Sequence, residues 1–109
     1  YLPNTYHNFH HGADVCHLTF RILTLSHLTH ILSTLEVLAL LLAALAHDVG
    51  HLGVNNGFLV KSMHELALRY NDRSPLENLH CSILYDVLGR EGCNVLKALT
   101  TAEAREARK

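Results

Sequence analysis

The stretch Leu42-Ala43-Ala44-Leu45-Ala46-His47-Asp48-Val49-Gly50-His51 decides how this chain is read, because it runs an apolar helix straight into a polar cluster. Val37 to Ala46 is uninterrupted in its apolar character, and Ser33 and Glu36 precede it with the S-x-x-E spacing of a capping box. This predicts a helix over Leu35 to His47, apolar on nearly all sides and therefore central and buried. His47 and Asp48 then emerge at the end of a buried element, where a charge needs a partner. A neutral imidazole nitrogen beside a two-oxygen carboxylate can serve one metal ion, or two if the carboxylate bridges. A reading from packing alone stands beside this one: a histidine against the last carbonyls of the helix and an aspartate in a turn.

Working outward toward the C-terminus, Gly50, Gly53, Asn55, Asn56 and Gly57 make a turn-rich loop that would bend the backbone closely around a site. Phe58 to Arg69 reads as a further helix, broken by Asn71-Asp72. Ser74-Pro75-Leu76-Glu77 restarts one with a capping serine, proline at the first helical position and a glutamate three residues after the cap. Leu76, Leu79, Ile83, Leu84 and Val87 form its inward stripe, Gly89 and Gly92 bracket its end, and Thr100 to Lys109 is a helical segment without an apolar face. Toward the N-terminus, Tyr6 to Thr24 reads as a helix with Val15, Leu18, Ile22 and Leu25 at helical spacing, joined to the next by a polar connection over Ser26 to Thr34. With no period-2 run of β-branched and aromatic residues, the predicted class is all-α.

A chain of 109 residues can form one modest domain, and at 49% apolar and 17% charged it is not disordered. Its longest apolar run is far short of the ~18 residues of a membrane span. A formal charge of −1 leaves no electrostatic footprint for nucleic acid or anionic lipid. Cys16, Cys81 and Cys93 are odd in number and lack C-x-x-C spacing, which fits reduced thiols in a cytoplasmic setting. The chain opens at Tyr1 without methionine or a charged-then-apolar leader, and reads as a piece of something longer.

The ten histidines divide by spacing. His17, His27, His30 and His64 have no second metal-type residue at a useful distance and read as surface or ordinary hydrogen-bonded side chains. His7 and His11 are four apart, which would set them on one helical face; His10 competes with His11 for the same role. Glu77 is fully explained as a capping glutamate, yet Glu77 and His80, three apart, could also hydrogen-bond waters held by a cation.

Three segments carry a resemblance: Tyr6-His-Asn-Phe-His-His-Gly-Ala-Asp-Val15, Leu42 to Asn56, and Leu66 to His80. Together, and in this order, they resemble the catalytic domain of class I cyclic-nucleotide phosphodiesterases. The resemblance implies an all-helical, HD-type multi-helix domain, incomplete over residues 1–109, with two divalent ions, zinc with magnesium or manganese. It implies hydrolysis of the 3′,5′-cyclic phosphate of cAMP or cGMP to the 5′-monophosphate. By motif position His11, His47 and Asp48 resemble ligands of the first metal, with Asp48 bridging to the second, and His7 resembles the general acid. His51, Glu77 and His80 resemble residues that orient metal-held waters or lie beside the second ion. Tyr6 and Asn55 or Asn56 would line or brace the substrate pocket.

Two departures stand out: Leu52 where the family has proline in H-D-x-x-H-P-G, and Leu79 where it has the first histidine of E-N-H-H. The chain also stops before the later aspartate of the first metal's shell and before the glutamine and aromatic clamp for the purine. The expectation is therefore a parent enzyme whose 109-residue portion is inactive alone and prone to self-association. Two alternatives are an HD-superfamily hydrolase of another phosphorylated nucleotide and a non-catalytic truncated homologue acting as an interaction module.

Overall fold

The computed structural model describes residues 1–109 and is helical throughout. Its elements are α1 (Phe9–Leu25), a short 3-10 turn (Leu28–His30), α2 (Thr34–Ala46), α3 (Asn56–Lys61), α4 (Glu65–Arg69), α5 (Pro75–Leu88) and α6 (Thr101–Ala107). α1 packs along α2, α3 and α4 pack on each other and on α5, and α2 contacts both α5 and α6. No helix is long and apolar enough to cross a membrane.

Local signals set several boundaries. The Ser33/Glu36 box forms in full: the Ser33 hydroxyl accepts from the Glu36 amide while the Glu36 carboxylate accepts from Ser33, so two orphan amides at the start of α2 are satisfied. Thr100 and Glu103 build the same box at α6. Asn8 caps α1, its side chain accepting from the His11 amide at 3.2 Å.

Four expectations are corrected. The face of α1 that meets α2 carries Gly12, Cys16, Thr19 and Leu23, with Gly12 and Leu23 buried, whereas Leu18, Ile22 and Leu25 are exposed. The small residues of the first set let two helix backbones approach, and the Cys16 thiol reaches the Leu41 carbonyl. α2 is half-covered rather than buried, since only Ala44 of its residues is fully inside. Phe58 to Arg69 is two helices, broken where Met63 takes a left-handed φ of 51°. In one straight helix Leu59 and Ala67 would lie about 12 Å apart along the axis; the break folds both, fully buried, into one cluster with Leu76.

The fourth correction concerns the start of α5. Ser74 adopts φ 45°, ψ 53° and makes no side-chain cap, because a capping hydroxyl needs the extended backbone that this tight turn denies it. Asn56, from α3, takes both halves of the job. Its Oδ1 accepts from the Leu76 amide at 3.0 Å and its Nδ2 donates to Glu77 Oε2 at 2.8 Å.

Candidate metal centre and catalytic site

The site forms where the ends of three elements converge. α2 terminates at His47-Asp48, the first turn of α1 presents His11, and α5 presents His80 from its buried face. Asp48 is the hub: its Oδ2 lies 3.4 Å from His11 Nε2 and 3.1 Å from His47 Nε2, while its Oδ1 faces His80 Nε2 at 3.9 Å.

Backbone contacts orient two of these rings. His47 Nδ1 is 2.9 Å from the Ala44 carbonyl and His80 Nδ1 is 2.8 Å from the Val49 carbonyl. A carbonyl can only accept, so both Nδ1 atoms carry hydrogen, and the neutral form of each ring would turn an Nε2 lone pair toward Asp48. Lone pairs facing a carboxylate repel unless a proton or cation lies between them. The donor atoms of His11, His47 and Asp48 all fall within 4.8 Å of one another. A tetrahedral zinc with bonds of about 2.0–2.1 Å sets its donors about 3.3–3.4 Å apart, close to the separations found at Asp48. The residues therefore fit a divalent ion. The Nδ1 bond to a carbonyl that fixes the His47 tautomer is the support metal-ligating histidines characteristically have.

His7 is not on α1, as its spacing suggests, but in the bend before Asn8. It still reaches the site, stacked face to face on His51 with ring centroids 3.7 Å apart and planes 11° from parallel. His51 is buried, and its ring in turn stacks toward His80 at 5.7 Å. The Gly53 amide donates to His51 Nδ1 at 2.9 Å, which places the proton of the neutral ring on Nε2. Burial, and then the neighbouring His7, hold the His51 imidazole below its ordinary pKa, with Asp48 pulling the other way. Glu77 is held below the ordinary carboxylate value, chiefly by the Asn56 side-chain bond.

A depression of about 420 Å³ opens beside this group, lined by His7, His51, Asn55, Asn56, Leu76 and Glu77 among others. Asn55 caps α3 through Phe58, so its side chain is already committed at the rim. Tyr6 is exposed and leans on the rings of His11 (4.6 Å) and His7 (5.0 Å) beside the depression. His10 turns outward, and the choice between it and His11 falls to His11. His64 caps α4, accepting from the Leu66 amide. His27 and His30 pair with each other, 5.9 Å apart.

Two side chains that the spacing arguments overlooked hold this arrangement. Tyr1 donates its hydroxyl to the Leu45 carbonyl at 2.9 Å, two residues before His47; burial, the leading influence, raises its pKa. Asn4 donates to the carbonyls of both His7 and His51. Their partners lie up to 47 residues away, and no periodicity marks them.

The domain is all-helical, and histidines gather around one carboxylate in a donor set that fits a divalent ion. Residues 6–109 match the 3′,5′-cyclic nucleotide phosphodiesterase family, and the chain belongs to it. It is 44% identical over 96 residues to cGMP-specific 3′,5′-cyclic phosphodiesterase delta of Plasmodium falciparum, covering 88% of this chain and 12% of that protein. It is 38% identical over 108 residues to the high affinity cGMP-specific 3′,5′-cyclic phosphodiesterase 9A of Mus musculus, covering 99% and 20%. With 3′,5′-cyclic-nucleotide phosphodiesterase regA of Dictyostelium discoideum it shares 39% over 106 residues, 97% of this chain and 13% of that one. The crystal structure of the phosphodiesterase domain of the RhoPDE fusion protein from the choanoflagellate Salpingoeca rosetta superposes with a TM-score of 0.94 at 42% identity, covering 99% of this chain and 34% of that one. The chain thus spans a fifth or less of these curated relatives and about a third of the solved domain.

Proposed function

We propose that this chain carries the metal-binding and proton-donating part of an enzyme that hydrolyses 3′,5′-cyclic nucleotides, cAMP or cGMP, to 5′-monophosphates. The observation that carries it is the pair of His Nε2 atoms 3.1 and 3.4 Å from one oxygen of Asp48. His11, His47 and Asp48 would hold the first ion, for which two imidazoles and a carboxylate suit zinc. Asp48 Oδ1, facing away from that pair, leaves the carboxylate free to bridge to a second, oxygen-preferring ion such as magnesium or manganese. Divalent ions there, when bound, supply positive charge against the phosphoryl oxygens and activate water for attack.

The chain's own residues would do the rest. Opening the cyclic ester expels a 3′-alkoxide, which leaves readily only if a proton arrives as the bond breaks. Support for His7 in this role is that it lines the depression and that neither of its ring nitrogens is hydrogen-bonded inside the chain. His51 and Glu77 line the same depression and His80 faces Asp48, and the three would orient water. Tyr6, Asn55 and Asn56 would brace the pocket. The setting we infer is cytoplasmic, and the 109 residues alone, without the remaining two thirds of the solved domain's length, would be catalytically silent.

The test compares His47→Ala, Asp48→Ala and His64→Ala in the full-length protein at saturating metal. The first two should abolish cyclic-nucleotide hydrolysis, and His64→Ala should leave it largely intact. Near-normal turnover in Asp48→Ala would overturn the two-metal assignment.

A further inference from the structure

Asn4 lies outside the histidine and aspartate cluster, in the segment before α1, and its side-chain nitrogen donates to backbone at the site. Its Nδ2 donates to the His7 carbonyl at 3.3 Å and to the His51 carbonyl. Those two residues are the ones whose rings stack at 3.7 Å. The backbone carbonyl of Asn4 is itself held by Asn8 Nδ2 at 2.9 Å, and Asn8 caps α1. Gly53, which donates to His51 Nδ1, has φ +79°, and a Cβ there would lie 3.0 Å from Asn4 Oδ1, so a side chain at 53 would press on Asn4. A primary amide has two N–H bonds, and here both are used to tie together two loops that are far apart in sequence.

We propose that Asn4 is a positioning residue: it clamps the His7 and His51 backbones so that the His7 ring is held flat on His51 and presented to the depression for proton delivery. This rests on the reading of His7 as the proton donor. His7 has no ring hydrogen bond to orient it, so its direction depends on its backbone and on its ring contacts. The amide clamp supplies the constraint. Removing it should leave the metal ligands in place, because His11, His47 and Asp48 are positioned by α1 and α2 rather than by Asn4.

The experiment uses Asn4→Asp and Asn4→Ala in the full-length protein; the first is isosteric and replaces the donating nitrogen with an acceptor. Turnover of cAMP or cGMP should fall about 10- to 100-fold, a part of the 10²–10⁴ available to a general acid. KM and zinc content should stay unchanged. Turnover of a linear p-nitrophenyl phosphodiester, whose leaving group needs no proton, should change less than about threefold. Equal losses on both substrates would mean a general packing role and overturn the proposal. Should either variant fold poorly, the unmutated protein still decides: absence of ring-to-ring NOEs between His7 and His51 would refute the clamp. His7→Ala serves as the control for the underlying reading. Equal loss on both substrates in that variant would discard His7 as the acid, whatever Asn4 does.

Discussion

At the scale of single residues, His7, His11 and His64 show how one side chain type takes three roles by position. His11 is a donor beside Asp48, His7 is a ring without internal hydrogen bonds, and His64 is a helix cap. His7→Ala in the full-length protein should therefore keep its metals while hydrolysis falls by ~10² to 10⁴-fold, the usual share of a general acid. Metal analysis alongside the rate measurement checks this, and loss of metal would contradict the role. His64→Ala should instead leave zinc stoichiometry unchanged and lower stability by about 1 kcal/mol, the common cost of removing a cap. Denaturant titration of the variant measures it.

At the scale of elements, helix termini place the site, and two of them make sharp predictions. The Glu36 carboxyl is held below its ordinary value by its bonds from the Ser33 amide and hydroxyl. A carboxylate depressed in the folded state stabilises above its unfolded pKa of about 4.5, and that contribution is lost as pH falls through the lower folded value. The stability difference between wild type and Glu36→Gln should thus be present near neutrality and shrink below pH 4.5; a gap independent of pH would rule out the ionic share of the box. Gly50, in the turn between Asp48 and His51, has φ +75°, and a Cβ there would collide with Ile83 Cδ1. Gly50→Ala should destabilise by about 1–2 kcal/mol from the left-handed backbone alone, and thermal unfolding should show a larger loss than Gly92→Ala, whose added Cβ meets nothing.

At the scale of the whole molecule, surface area is the informative quantity. The chain exposes 7786 Å², whereas a compact protein of 12.2 kDa exposes about 6,100 Å². Its radius of gyration is 15.5 Å against about 13 Å for a compact domain of this length. The excess is partly apolar, since Leu18, Phe20, Ile22 and Leu25 on α1 and Leu40 and Leu45 on α2 stand exposed. Only 11 of 109 residues are buried, too small a core to hold such faces in water without cover. The isolated 109 residues should therefore self-associate. Sedimentation across a concentration series should show species larger than the monomer, and Ile22→Lys with Leu25→Lys should reduce them. A strictly monomeric wild-type chain would contradict this reading.

Whatever depends on residues a few positions apart was legible in the order of the amino acids. The helical class, the Ser33/Glu36 box and the His47-Asp48 cluster at the end of an apolar run were all legible, because capping bonds span three or four residues and adjacency needs no fold. Tertiary structure decided what depends on contacts across the chain. It moved the capping of α5 from Ser74 to Asn56, split Phe58 to Arg69 at Met63, and brought in Tyr1 and Asn4. It also turned the α1 face by one position, to Gly12, Cys16, Thr19 and Leu23, because close helix approach favours small residues where spacing alone favours large ones. The physical reason is common to all of these. A backbone carbonyl or a left-handed turn becomes available to a side chain only after packing has placed it there, and no local pattern records that placement.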